Sequence, residues 1–394
     1  MNELLWSVCL LSLITLGTIF LLKKFNQPYL IAYIVAGVVL GPHALGVFTK
    51  PGEIETVGEI GILFLMFFLG MEINVPDNRS LLIKPVVAQS VKIVLSMLCA
   101  LSVCYILGLS TNSVLLITIL FMFNSTAVVS EFLKKHNTLQ TTFGIVILNM
   151  LIFQDLLLAP VLTMLKAWDN EDFDLSSTLF PIFLCAAVFY VIKKIRNVQE
   201  IKLPKQFKAI ESDHDLQVFS GLFICLGFGL LAEESGLSAA LGSFIAGVIV
   251  GRVKIFNWLE HSLLPFKIFF VTLFFVSVGL RLDIRFLASN YPVILLGTLF
   301  VLVSNSIMSA VIFRCLKFSW KESWYGGALL SQTGEFGILA LSVAYKIGII
   351  EYGLYKEGLG ITCLSLLLST LWIAVLNHTL ERFPTVKKYA KNNT

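Results

Sequence analysis

Charge is scarce in this 394-residue chain: 14% of residues are Asp, Glu, Lys or Arg, whereas 57% are hydrophobic. A soluble domain of this size needs no such apolar excess; a polytopic membrane protein does. There is no basic patch interleaved with aromatics and the net charge is only +4, so nucleic acid is not an expected partner. The seven cysteines (Cys9, Cys99, Cys104, Cys185, Cys225, Cys315, Cys363) lie in or beside apolar segments without CxxC or Cys/His ligand spacing. They read as small packing residues rather than as disulfide or metal partners. The five histidines (His43, His136, His214, His261, His378) are scattered near span ends, and no nucleophile–base pair stands out. Neither an enzyme nor a cofactor is therefore expected. No Gly-x-Gly-x-x-Gly pattern follows a strand, so no nucleotide-binding domain is expected in this chain. The first apolar stretch lacks a basic leader and an A-x-A cleavage site, and reads as a retained span.

What the sequence has in abundance is apolar runs long enough to cross a bilayer. They fall near 4–22, 29–48, 57–73, 85–107, 113–133, 143–166, 176–194, 216–232, 236–251, 264–280, 291–313, 323–346 and 359–379, which predicts an all-α protein of about thirteen transmembrane helices. The first, fourth and thirteenth read as plain apolar helices; the others carry glycine, proline or polar interruptions. Basic residues collect in every second connection: Lys23-Lys24, Arg79 with Lys84, Lys134-Lys135, Lys193–Lys208, Arg252 with Lys254, Arg314 with Lys317 and Lys321, and the tail Arg382–Lys391. By the positive-inside rule this places the N-terminus outside and the C-terminus in the cytoplasm of a multi-pass inner-membrane or plasma-membrane protein. Arg281 and Arg285 sit against the trend.

Two halves of the chain echo each other at a spacing of about 210 residues. Ala36-Gly-Val-Val-Leu-Gly41 matches Ala246-Gly-Val-Ile-Val-Gly251. Leu65-Met-Phe-Phe-Leu-Gly-Met-Glu-Ile73 matches Phe274-Phe-Val-Ser-Val-Gly-Leu-Arg-Leu282, and Asn124-Ser-Thr126 falls opposite Ser331-Gln-Thr333. Each matched pair is an odd number of helices apart, so the copies run in opposite senses across the membrane. The predicted organisation is a first inverted repeat of six helices (1–166), a linker helix and cytoplasmic loop (167–215), a second six-helix repeat (216–380) and a short cytoplasmic tail (381–394). Inverted repeats with discontinuous helices belong to secondary transporters working by alternating access. Asn124–Thr126 and Ser331–Glu335 are the expected breaks, where two helices unwind, cross, and offer carbonyls and half-helix ends to a cation.

Gln154 and Asp155 lie within Leu151-Ile-Phe-Gln-Asp-Leu-Leu-Leu-Ala-Pro160. A carboxylate at membrane depth costs roughly 2.5–3.5 kcal/mol on insertion scales unless it meets water, a cation or a partner. Asp155 is therefore the leading candidate for binding both a proton and a monovalent cation. Its protonated and cation-loaded forms are neutral and can cross between faces, whereas the bare carboxylate cannot, and that asymmetry suffices for exchange. Glu335 is a possible second ligand. Glu72 sits at a predicted helix end, where it is expected to snorkel or to pair with Arg281.

These segments resemble a known family. Pro28–Pro42, Gly61–Glu72, Asn124-Ser-Thr-Ala127, Phe153-Gln-Asp155, Phe274–Gly279 and Leu330-Ser-Gln-Thr-Gly-Glu-Phe336 are similar, in order, to the monovalent cation:proton antiporters, and within them to the Kef-type and NapA-like membrane domains. The resemblance implies a homodimer with a six-helix core domain moving against a dimer-facing domain. It makes Asp155 the cation- and proton-binding aspartate, with Gln154, Ser125 and Thr126 beside it. Asn124, Gln332, Thr333, Glu335 and Asn305 become support at the crossing helices, and Arg314 a structural or ion-pairing residue. The chain departs from that pattern at Asn305, where Kef-type proteins tend to carry a lysine. With Gln154 unable to titrate and that lysine absent, an electroneutral exchange of one Na⁺ or K⁺ for one proton is expected. A cation channel or uncoupled pore on the same scaffold is the alternative. A sodium-coupled organic-anion carrier is another, and it would require a basic residue in the core.

Overall fold

The computed structural model describes residues 2–24, 27, 29–48, 51–72, 79–168, 213–234, 239–251 and 258–381. Among these every regular element is an α-helix: α1 (Asn2–Lys23), α2 (Tyr29–Leu40), α3 (Pro51–Glu72), α4 (Arg79–Leu107), α5 (Thr111–Met122), α6 (Thr126–Lys135) and α7 (Thr142–Trp168). After the linker come α8 (His214–Glu234), α9 (Ala239–Val250), α10 (Trp258–Leu280), α11 (Ile284–Ser289), α12 (Tyr291–Cys315), α13 (Trp320–Leu329), α14 (Glu335–Lys346) and α15 (Tyr352–Glu381). Six described helices are long and apolar enough to cross a membrane, at Leu5–Lys23, Ile83–Leu107, His214–Glu234, His261–Leu280, Tyr291–Cys315 and Tyr352–His378. Large apolar side chains such as Trp6, Phe20, Tyr105 and Phe223 stay well exposed, as suits a surface whose solvent is lipid.

The expected linker helix at 176–194, most of the loop that follows it, Arg252, Lys254 and the tail lie outside the described residues, as does the side chain of Glu72. Two spans read as single runs, 113–133 and 323–346, are each split into two shorter helices. The run 29–48 stops being helical at Leu40, and the short α11 between α10 and α12 had no counterpart in the expected spans.

The chain forms two compact units, one drawn from 1–79, 152–291 and 338–360, the other from 80–151, 292–337 and 361–394. In the first, the glycines of the echoed motifs make backbone-to-backbone contact. A methyl group added at Gly37 would stand 2.1 Å from the Val276 carbonyl oxygen and 2.9 Å from Gly279 Cα, so α2 meets α10 where no side chain fits. Likewise a methyl at Gly70 would stand 2.3 Å from Phe244 O, and one at Gly247 1.9 Å from Phe67 O, which joins α3 to α9. Close approach through small residues is how helices associate when water supplies no hydrophobic force between them. Around these contacts Phe64, Phe67, Phe68, Cys225, Val250, Leu259 and Leu263 form a buried core, with Phe64 stacked on Phe270 at 5.7 Å.

One end of this unit carries a polar cluster. Asp283 caps α11, its Oδ1 accepting from the backbone N–H groups of Arg285 (3.0 Å) and Phe286 (3.1 Å). Its other oxygen takes a hydrogen bond from Lys356 Nζ at 2.8 Å, and His43 Nδ1 lies 3.7 Å from Oδ1. The Lys356 bond, joined by the Phe286 amide, outweighs desolvation and holds the Asp283 carboxyl down at about 2. Arg281, which runs against the loop-charge trend, donates to the Tyr355 hydroxyl at 3.1 Å.

In the second unit, α13 begins in a reciprocal capping box between Ser319 and Glu322. Arg314 closes the preceding turn by donating to Phe318 O at 2.9 Å and covers the Trp320 ring. Phe143, Phe313, Phe318 and Tyr325 pack together, Phe143 lying 5.6 Å from both Phe313 and Phe318. These contacts anchor the outer ends of α7, α12 and α13.

Two outcomes follow for stability. Gly37→Ala or Gly247→Ala introduces a clash with backbone that cannot move aside, and each is expected to cost about 1–3 kcal/mol. Gly17→Ala, where nothing lies within 4 Å, serves as the neutral control; melting of the purified protein in detergent reads the difference. Asp283→Asn retains the cap but loses the charge, and should lower stability at neutral pH by roughly 1–2 kcal/mol. Because the folded carboxyl sits below its ordinary value, its stabilisation is fully present above about pH 4 and lost as the pH falls toward 2. The gap between wild type and variant should therefore close over that window in pH-dependent melts.

Candidate functional site

The site is built where two helices stop in the middle of their spans. α5 ends at Met122, and Phe123 and Ser125 take extended backbone angles (φ −96°, ψ 117° and φ −75°, ψ 112°) before α6 starts at Thr126. Ser125 caps α6, its hydroxyl accepting from Val128 N at 3.4 Å. On the other side α13 ends at Leu329, and the chain runs non-helically to Glu335, the first residue of α14.

The two interruptions cross in contact. A methyl group at Gly334 would stand 2.5 Å from the Asn124 carbonyl carbon and 2.6 Å from Ser125 N, so only glycine allows the approach. Gly334 N donates to Phe123 O at 2.9 Å. Asn124 supplies the larger link: its Nδ2 donates to Leu330 O at 3.0 Å and to Gln332 O at 2.8 Å. Two carbonyl acceptors fix the amide's orientation, since the flipped group would face oxygen with oxygen. Thr333 Oγ1 donates to Leu120 O at 2.9 Å, Thr333 N donates to Ser365 Oγ, and Asn305 Nδ2 donates to Ser331 O at 3.2 Å. The Ser125 side chain lies beside Glu335.

Breaking a helix at membrane depth leaves carbonyls without partners, and each must be satisfied internally. Those of Leu120, Met122, Phe123, Leu330, Ser331 and Gln332 all accept from protein donors. The carbonyls expected to face a cation thus each accept at least one hydrogen bond from the protein. Among the residues of the crossing, three side-chain atoms are buried without a hydrogen-bond partner: Asn305 Oδ1, Gln332 Nε2 and Glu335 Oε2. Two of these are oxygens, the donor type that hard monovalent cations and their water take.

The crossing contains one residue that sequence reasoning passed over. Lys92, midway along α4, is fully buried, and its Nζ donates to Asn124 Oδ1. One turn earlier, Gln89 Nε2 donates to Met122 O, the last residue of α5, at 3.4 Å. The fourth helix is thus not a plain apolar span. The signal was available: Gln89, Lys92 and Ser96 recur at helical spacing in an otherwise apolar stretch, and the buried stripe continues through Ala100 and Cys104.

Of the residues singled out from the sequence, Asn124, Ser125, Asn305, Ser331, Gln332, Thr333 and Glu335 are thus brought into one network. Thr126, the first residue of α6, is half-buried beside it. Gln154 and Asp155 lie on α7, in the stretch that belongs to the other unit, and both are buried, Asp155 at 2% exposure. Arg314 and Arg281 make the structural contacts described above and stand outside the network. Among the described residues there is no cluster of His, Cys, Asp and Glu that would hold a resident metal.

The chain as a whole is similar to known proteins. The chain is 27% identical over 356 residues to the iron transporter MagA of Paramagnetospirillum magneticum, covering 90% of this chain and 81% of that protein. It is 26% identical to K(+) efflux antiporter 5 of Arabidopsis thaliana and 27% identical to the glutathione-regulated potassium-efflux system protein KefC of Escherichia coli. Each of these two alignments covers 88% of this chain but only 62% and 56% of the relative. The fold is that of the sodium proton antiporter MjNhaP1 of Methanocaldococcus jannaschii, with a TM-score of 0.69 at 15% identity over 96% of this chain and 99% of that one. The family model described as sodium/hydrogen exchanger, transmembrane, matches residues 10–378, and the chain belongs to that family of monovalent cation:proton antiporters.

Proposed function

We propose that this protein exchanges a monovalent cation, K⁺ or Na⁺, for protons across a cell inner membrane or plasma membrane by alternating access. The observation that carries the reading is the crossing of two interrupted helices, held by Asn124 and Gly334 inside an otherwise apolar interior. Asp155 is the group that holds either a proton or the cation, with Gln154, Ser125 and Thr126 assisting. Asn124, Gln332, Thr333, Glu335 and Asn305 support the crossing helices. The efflux antiporters among the relatives carry K⁺ by name, and MjNhaP1 carries Na⁺ by name, so both ions are candidates.

Two inverted six-helix repeats, about thirteen helices in all, give such a protein its two equivalent faces. The glycine contacts support this arrangement. Gly37 meets Gly279 in the first unit, and their sequence counterparts Gly247 and Gly70 meet in the same way, as two-fold-related copies would. An outside N-terminus, a cytoplasmic C-terminus and a homodimer complete the proposal.

A buried lysine was the condition set for an organic-anion carrier, and Lys92 meets it. Its ammonium is bound by an amide oxygen of the protein itself, which ranks that reading second. Proton movement driven by an inorganic cation salt alone separates the two.

Asp155→Asn should fold and melt as wild type but lose cation-driven proton flux in proteoliposomes by at least about a hundredfold. An Asn variant that still moved protons on addition of K⁺ or Na⁺ would remove Asp155 from the mechanism. With one switching carboxylate the cycle carries no net charge. Proton flux at matched gradients should then stay silent when a membrane potential is imposed, and sustained flux that reverses with its sign would establish a second proton-carrying group.

A further inference from the structure

Lys92 is a fully buried lysine in the middle of a membrane-spanning helix, a placement that the exchange chemistry of Asp155 does not use. An isolated cation there is expensive, so the contacts that hold it define what it does. It donates to Asn124 Oδ1, and the same Asn124 spends both amide hydrogens on the carbonyls of Leu330 and Gln332. The three groups form a chain from α4 through the first interruption into the second. Each donor in it polarises the next acceptor, so the positive end strengthens the bridge.

Charge is matched to the broken helices as well. Asn124 lies in the gap between the C-terminal end of α5, which carries partial negative charge, and the start of α6; α4 faces the α5 end there through Gln89 on Met122 O, and Lys92 brings a polar donor beside it. Glu335 occupies the first position of α14, where the partial charge is positive. Asn305 on α12 contributes only an amide, to Ser331 O. The cation of this crossing therefore comes from α4.

We propose that Lys92 is a positioning residue of the exchange site. Its ammonium fixes the Asn124 bridge between the two interruptions and keeps its proton while cation and proton alternate at the site. The transport part of this inference rests on the antiport reading above; the bridge does not.

The test compares Lys92→Met, Lys92→Gln and Lys92→Arg in the full chain, each read by melting in detergent and by K⁺- or Na⁺-driven proton flux in proteoliposomes, per folded protein. Met removes bond and charge, and should lower both the melting temperature and the maximal rate, the rate by about tenfold or more. Gln can still donate to Asn124 without charge, and should recover melting temperature but not rate. Arg keeps charge and donors, and should recover both; if the Met protein does not fold, the Gln and Arg pair decides the same question. Where flux remains, its pH profile and its silence under an imposed potential should match wild type. Wild-type rates in Met or Gln would overturn the proposal. So would a potential-driven flux that is present in wild type and abolished by Lys92→Met, because Lys92 would then carry a second proton. If the wild-type protein shows no cation-driven proton movement, the antiport reading fails instead, and the order of melting temperatures still tests the bridge: Met melting as wild type would overturn it.

Discussion

Two helices that stop short inside a membrane create a debt of unpaired backbone groups, and the way those groups are satisfied organises one half of this protein. Asn124 is central to the solution. Its side chain sits in one interruption and its amide hydrogens reach carbonyls of the other, so neither can be moved independently. Gly334 makes the geometry possible, because any Cβ there would overlap the Asn124–Ser125 backbone. Thr333, Gln89, Asn305 and Lys92 then tie the crossing to α5, α4 and α12.

The carbonyls of Leu120, Met122, Phe123, Leu330, Ser331 and Gln332 accept hydrogen bonds from the protein and so tie the two interruptions together. Asn305 Oδ1 and Glu335 Oε2 are buried without a hydrogen-bond partner.

The other half of the molecule relies on a different device. Its helices are apolar nearly all round, so amphipathicity cannot specify which faces meet. Glycine does so instead, by admitting backbone contact at Gly37 with Gly279 and at Gly70 with Gly247. At one end of the unit Asp283 both caps α11 and pairs with Lys356. The glycine contacts let the helices pack backbone against backbone in the interior.

Much of this was legible in one dimension. Apolar runs fixed the membrane class and the approximate spans, because bilayer thickness imposes a length that few other environments demand. The echoed Ala-Gly and Phe-Leu-Gly motifs marked the glycines that make close contacts. Polar clusters at Asn124–Thr126 and Ser331–Glu335 marked the breaks, since a helix interior has little reason to gather such residues at membrane depth. Partners were another matter. Whether Asn124 bonds to its own helix or to a segment some 200 residues away depends on which backbone lies opposite it, and nothing local encodes that. Lys92 shows the same limit: its spacing with Gln89 and Ser96 identifies a buried face, but only the tertiary structure decides that this face meets Asn124. The sequence by itself determined that this is a membrane protein with two broken helices and a buried carboxylate. The three-dimensional packing decided which donors satisfy the broken ends, because that choice is made by proximity across the chain rather than along it.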